Sequence, residues 1–432
     1  MAEQSEDQAE EALEPAPRRR RLGWRLGAVA AILLAAILTY AWVSRKELAQ
    51  DLITRELDKM GLNARYRIEE IGPRRQVISH IVIGDPAHPD LTIERVEMQL
   101  VVRFPFPGIG QLTVVKPRLY GSYHQGKLSF GSLDKMLFGQ PSTQPFRMPD
   151  MVLSLQDGRA LMETDYGPVG IKAQGYGHLR DGFDGILAAT APALGAQGCR
   201  AEKATLYGSL HIRAERPGFT GPLRLASLAC PDAGLALRDV GLQLDVEAER
   251  TLDGVEGDVG FKTGPAALAA NRLASLSGTS RIDWRKGAFT AKYGVTGKGL
   301  ETPQLAMASL GLEGAVRSRE NFARMEVEAD VKGQKIRPGP ALDRTLRSAA
   351  QSASGTLAGP MLEQIRSALL REGQGSSLTA TATLRKTGAT YSLVVPQARL
   401  NGTSGQALLA LSRFQMALGE GAPRFTGNFA TG

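Results

Sequence analysis

A chain of 432 residues has room for two or three ordinary domains or one elongated repetitive one. Its 49 glycines, 6% aromatic content and ordinary 43% hydrophobic content imply many turns and strands built from small residues. The formal net charge of +8 does not argue for nucleic acid: an arginine cluster near the N-terminus follows from membrane topology, and the remaining charge is mixed, with no basic and aromatic platform.

Residues 1–25 carry Glu3, Glu6, Asp7, Glu10, Glu11 and Glu14 without apolar periodicity, the composition of a disordered tail. Residues 26–43, LGAVAAILLAAILTYAWV, run eighteen positions without a charge. As a helix they span about 27 Å, close to the hydrocarbon thickness of a bilayer, so a single transmembrane anchor is expected. Arg18, Arg19, Arg20, Arg21 and Arg25 precede the span and only Arg45 and Lys46 follow it directly, which keeps the N-terminus cytoplasmic and exports the rest. Tyr40 and Trp42 suit the headgroup layer at the far end. A cleaved signal peptide is the alternative; the apolar run is long for one and lacks a small-x-small site.

Residues 44–61 place Leu48, Leu52, Leu57 and Met60 near helical spacing ahead of Gly61, so an amphipathic helix is expected, either a stalk or lid or a helix packed on the first sheet. From 62 to 340 the period changes to two. Val96, Met98, Leu100 and Val102 alternate with Glu97, Gln99 and Arg103; Val240, Leu242, Leu244 and Val246 alternate with Gln243, Asp245 and Glu247. Met325, Val327, Ala329 and Val331 alternate with Glu326, Glu328 and Asp330 in the same way. Gly-containing turns such as RDGFDG, WRKGAF and RKTGAT separate these runs, and the whole predicts a mainly β chain, a long antiparallel sheet with one wet face. A short helix is expected near 132–139, and a helical insertion over 341–373 that Pro360 and its Ser and Gly residues divide in two. These helices plug or gate the sheet, or cross between two parts of it. Residues 374–432 return to alternation, and the last of them, with Phe425 and Phe429, read as a strand pattern that a longer protein would continue.

Cys199 and Cys230 both fall in the exported part, where an oxidising compartment makes a disulfide the default and two buried thiols the alternative. No catalytic or metal constellation emerges. The five histidines, His80, His88, His124, His178 and His211, are scattered, and no H-E-x-x-H or G-x-S-x-G is present. GSYHQGKL, residues 121–128, matches G-x-x-x-x-G-K but has Leu128 where a magnesium-binding hydroxyl belongs, so it reads as a hairpin turn. DPAHPD, with Asp85, His88 and Asp90, reads as a strand-to-strand turn. No cofactor is expected.

A sheet with one apolar face must cover it. Helical sequence is too sparse to do so here, and an apolar floor with a charged outer wall suits acyl chains, at about 0.8 kcal/mol for each CH₂ buried. The order of anchor, short helix, GDPAHPDLTIERVEMQL, LTVVKPRLYG and GKLSFGSLDKML resembles the AsmA-like bridge proteins of Gram-negative envelopes, in particular their YdbH-like branch. The resemblance implies a periplasmic β-groove, anchored in the inner membrane, that moves phospholipid between the inner and outer membranes, and it implies no catalytic residue. On that reading Val96, Met98, Leu100, Val102, Val240, Leu242, Leu244, Val246, Met325, Val327 and Val331 line the groove. Lipid enters beside Leu48, Leu52, Leu57 and Met60, and an outer-membrane or periplasmic protein meets the C-terminal end. Two other readings stand beside it: an envelope assembly scaffold that binds partners by strand addition, and an accessory part of dicarboxylate uptake.

Overall fold

Alternating sequence folds as strand from residue 64 onward, and the computed structural model describes residues 63–101, 108–138, 147–419 and 424–431. Contacts divide the chain into two units, Met1–Lys59 and Met60–Gly432, and all described residues belong to the second. The expected anchor at 26–43, the helix at 44–61 with Leu48, Leu52, Leu57 and Met60, and the groove residue Val102 lie outside the described residues. No helix among the described residues is long and apolar enough to cross a membrane.

The strands in chain order begin with β1 (Ala64–Ile71), β2 (Arg75–Asp85), β3 (His88–Val101), β4 (Gly108–Val115), β5 (Arg118–His124) and β6 (Lys127–Ser129). A long run follows: β7 (Val152–Thr164), β8 (Val169–His178), β9 (Phe183–Ala196), β10 (Cys199–Arg213), β11 (Arg216–Cys230) and β12 (Leu235–Ala248). Next come β13 (Gly254–Thr263), the short β14 (Ala266–Leu268) and β15 (Asn271–Leu273), β16 (Ser275–Arg285), β17 (Ala288–Glu301), β18 (Leu305–Arg319) and β19 (Arg324–Pro338). The last four are β20 (Ser376–Thr387), β21 (Thr390–Asn401), β22 (Ala407–Leu418) and β23 (Arg424–Thr431). All twenty-three join one sheet. Cys199 and Cys230, opposite each other at the paired ends of β10 and β11, form a disulfide with Cα atoms 4.0 Å apart.

The expectation of a purely antiparallel sheet fails at one place. β7 runs parallel to β4, with Gln111 beside Val152, and to β5, with Arg118 beside Arg159. Parallel neighbours need a crossover. The connection here contains β6, a 3-10 turn at Gly131–Leu133 and the short helix α1 (Asp134–Phe138). Asp90 holds that turn by accepting hydrogen bonds from the Ser132 amide at 2.9 Å and hydroxyl at 2.6 Å, and Leu133 is buried. The second helical stretch is different in kind. α2 (Leu342–Ser352) and α3 (Ala358–Glu372) lie between β19 and β20, which are themselves antiparallel neighbours, so the pair is an excursion from the sheet. Arg366 ties the two helices together through Asp343, at 2.6 Å.

Strict alternation also breaks, and does so in register across neighbouring strands. In β10 the half-buried Cys199 and Ala201 are odd-numbered, then Glu202 and Lys203 are both exposed, and the buried or half-buried residues become Ala204, Leu206 and Leu210. β12 repeats this at Arg238 and Asp239, and β19 at Gln334 and Lys335, with Gly333 buried before the pair and Ile336 after it. Lys203, Asp239 and Lys335 have φ of 51°, 52° and 52°, a left-handed conformation that interrupts the pleat and reverses which parity faces inward; pairing of β10 and β12 keeps its register across it, and β19 shifts only against β20. Leu235 and Leu237 therefore share the face of Val240 to Val246 despite opposite numbering parity.

The direction of curvature can be read from the glycines. At Gly208, Gly221, Gly257, Gly278 and Gly314, all on the apolar face, an added Cβ would come within 3.0 Å of the adjoining strand's backbone. On the opposite face, Gly241, Gly260, Gly294 and Gly311 would meet nothing nearer than 3.4 Å. Cβ positions converge on the inside of a bend and diverge on its outside. From β10 to β19 the sheet is thus concave on its apolar face.

Candidate functional site

Pairing in a β-sheet places opposed residues on one face, so the registers can be followed strand by strand. Starting at Ile78, one transverse row passes through Val96 and Val114, and the parallel step leads to Leu155. It continues through Gly175, Gly185, Leu210, Phe219 and Val246. Beyond these come Gly257, Ile282, Ala291, Val316, Val327 and Leu384. Leu393, Met416 and Phe425 complete it. Every member is apolar or glycine. At about 4.8 Å per strand, its seventeen steps make an apolar path of about 80 Å measured along the sheet.

The residues singled out from sequence fall on this face. Val96 and Met98 oppose Val114 and Leu112, and Leu100 opposes Ile109 beyond a one-residue shift. Leu242, Leu244 and Val246 oppose Leu223, Gly221 and Phe219, and Val240, almost fully buried, opposes Leu225. Met325, Val327 and Val331 oppose Ser318, Val316 and Leu312. Sequence reading missed the aromatics that pave the floor. Phe219 lies over Gly208, Phe261 over Gly278, and Tyr293 reaches across Gly314 to donate its hydroxyl to the Glu328 carbonyl at 2.9 Å. Rings lying over glycines fill the floor without standing up from it. Burial pushes the Tyr293 phenol up, with a further push from Asp330.

The apolar face is not a dry interior. Two sheets packed face to face enclose their facing side chains. Here twelve apolar residues are buried among those described, and no large apolar side chain is fully enclosed; the largest that are belong to Ser79 and Ser376. Leu242, Leu244, Val327 and Val331 are all half-buried.

The opposite face carries ion pairs between strands. Arg281 bridges to Asp258 at 2.7 Å, Arg317 to Glu328 at 2.8 Å and Arg385 to Glu326 at 2.6 Å, while Arg216 and Arg285 share Glu256 at 2.6 and 2.9 Å. Hydrogen bonds from these arginines hold Asp258, Glu326 and Glu256 below the usual carboxylate range. A carboxylate whose folded pKa is depressed stabilises the fold above its unfolded pKa, and the contribution is lost as pH falls through the folded value. The urea midpoint is therefore expected to drop on acidification below the ordinary carboxylate range. Arg281→Ser and Arg385→Ser together should make that drop shallower, and an unchanged pH profile would show that the pairs contribute nothing.

Among the described residues no group of three or more His, Cys, Asp or Glu is placed to hold a metal ion. His124 accompanies Asp165 at 2.7 Å at the tip of the β5–β6 hairpin, and His178 accompanies Asp150 at 3.1 Å. The DPAHPD segment forms the β2–β3 turn, where Asp85 accepts the Ala87 amide at 3.0 Å.

Over the described residues the fold and its site define a protein whose one long sheet presents a continuous, concave apolar face. Residues 32–430 match the family model for YdbH-like proteins, described as intermembrane phospholipid transport protein YdbH, and the chain belongs to that family. The family is one of lipid transport between membranes. No curated protein and no solved structure matches the chain.

Proposed function

We propose that this chain is a passive phospholipid conduit between the inner and outer membranes. It is anchored in the inner membrane through residues 26–43, with the sheet in the periplasm. Acyl chains lie along the apolar face and headgroups stay in water. The observation that carries this reading is the row from Ile78 to Phe425, which contains no polar side chain. Aliphatic contacts repeated along such a row bind weakly at each point and continuously over the length, which is what sliding requires. In this reading lipid enters beside Leu48, Leu52, Leu57 and Met60 and leaves toward a partner at the C-terminal end. Among the described residues no large apolar side chain is fully enclosed, which disfavours an assembly scaffold built on a closed core.

The test is photo-crosslinking in cells with a photoreactive residue at Leu244 and, separately, at Asp245. Phospholipid adducts are expected at Leu244 and not at Asp245. Adducts from Leu244 to protein alone would remove the conduit reading in favour of the scaffold.

A further inference from the structure

The outer, polar face is not uniform. Toward the hairpin ends of β12 to β20 it is neutralised by the arginine–carboxylate pairs. Nearer the left-handed residues, a second transverse row runs Arg224, Lys262, Lys332, Arg399, with glycine, serine or threonine at every intervening position. Lys298, one rung away on β17, fills the long interval between Lys262 and Lys332. Cations thus recur on every second strand, about 10 Å apart, over about 38 Å.

Between Arg224 and Lys262 the surface is hollowed into a depression of about 660 Å³, floored by Gly241, Gly260 and Gly294 and bordered by serine and threonine, with no carboxylate among its lining residues. The Lys262 stem lies across Gly241, where a Cβ would meet it at 3.4 Å. The adjoining depression, which shares Thr279 and Gly294, is lined by Asp258, Glu313, Glu328 and Asp330 as well as by cations. The charge pattern therefore changes from balanced to purely basic within one or two rungs. Toward Lys332 the next rung brings Glu313 and Asp330, so the strip is strongest at its Arg224–Lys262–Lys298 end.

We propose that this strip binds a linear polyanion, a polymer bearing repeated phosphate or sulfate groups, with one anionic group seated in the Arg224–Lys262 depression. Charge complementarity selects the partner, and the surroundings exclude the others. On the strands from β11 to β21 the exposed large apolar residues, such as Trp284 and Tyr391, sit on the apolar face; Phe322 sits in a turn, and Leu357, Met361 and Leu370 belong to the helical excursion between β19 and β20. The outer face therefore lacks the buried aromatic anchor of a protein interface and the inserting apolar side chains of a membrane-surface site. A hydrophilic polyanion needs neither, because amide, hydroxyl and cationic donors suffice.

The experiment titrates the full chain, in neutral detergent, against fluorescent polyphosphate and against a sulfated oligosaccharide. Anionic phospholipid vesicles and a polyglutamate peptide serve as the other arms. At least one of the two polymers is expected to bind, with affinity falling steeply as salt rises. Arg224→Ser/Lys262→Ser/Lys298→Ser should weaken it by about tenfold or more at low salt. Arg281→Ser/Arg317→Ser/Arg385→Ser removes the same net charge from the ion-paired zone and should change affinity by less than about twofold. Circular dichroism establishes that both variants fold. Equal loss in both triple variants would mean that binding follows net charge alone. That result, no polymer binding at low salt, or capture of only vesicles or peptide through the three cations would each overturn the proposal.

Discussion

Leu244→Asp is expected to slow phospholipid transfer by about 10²–10³-fold, and Val327→Asp by a similar factor. Leu244 stands between Gly221 and Val259, and Val327 between Val316 and Leu384, with no cation opposite either to neutralise a new carboxylate. The carboxylate would keep its water, because stripping it beside an apolar wall costs far more than a passing chain can return. A sliding acyl chain would then lose contact over four or five methylenes. At about 0.8 kcal/mol each this raises the barrier by about 3–4 kcal/mol. Folding should survive, since both positions are half-buried. The matched changes Asp245→Ser and Glu328→Ser, one residue along on the outer face, should leave transfer within about twofold. The measurement is the rate at which labelled phospholipid reaches the outer membrane in cells that depend on this protein. Transfer at the wild-type rate in both floor variants, or equal loss in the outer ones, would show that lipid does not travel along this face.

The face itself was only partly legible in the sequence. Period-two runs such as Val240–Val246 and Met325–Val331 are local, and each correctly separates its own two sides. What links Val96 to Val246 and then to Val327 is register across ten intervening strand positions, a non-local property that alternation does not encode. The left-handed residues hid more of it. Leu235, Leu237 and Ile336 lie beyond Asp239 and Lys335, so their numbering parity points the wrong way. A local signal was present: two consecutive polar residues, as in Glu202–Lys203, Arg238–Asp239 and Gln334–Lys335, followed by apolar residues of the other parity. The parallel step at β7 was less accessible, because a short helix between strands reads the same whether the chain crosses over or returns to its neighbour. The cation row was invisible for the same reason as the floor. Arg224 and Lys262 are 38 positions apart in sequence and become neighbours only through Gly241.

Substituting alanine for glycine should have opposite consequences on the two faces. Gly208→Ala and Gly221→Ala are each expected to destabilise the sheet by about 2–3 kcal/mol, because the new Cβ meets backbone that cannot step aside without straightening the bend. Gly260→Ala and Gly294→Ala should be neutral or stabilising by up to about 1 kcal/mol: nothing lies within 3.4 Å of the added atom, and the unfolded chain loses freedom. None of these four glycines has a positive φ, so strain in the residue's own backbone does not enter the comparison. The measurement is the urea midpoint of each variant at constant m-value. The expected difference in sign follows from curvature alone, since all four positions are strand glycines with a strand on either side. Equal effects on the two faces would mean that the sheet is flat over β10 to β17. The apolar row would then be an open surface, and the half-burial of Leu242, Leu244 and Val246 would need a covering partner. Opposite effects tie the glycines to function through geometry. By letting strands close up on one side only, they gather the apolar row into a concavity that can hold acyl chains, while the charged face spreads outward into water.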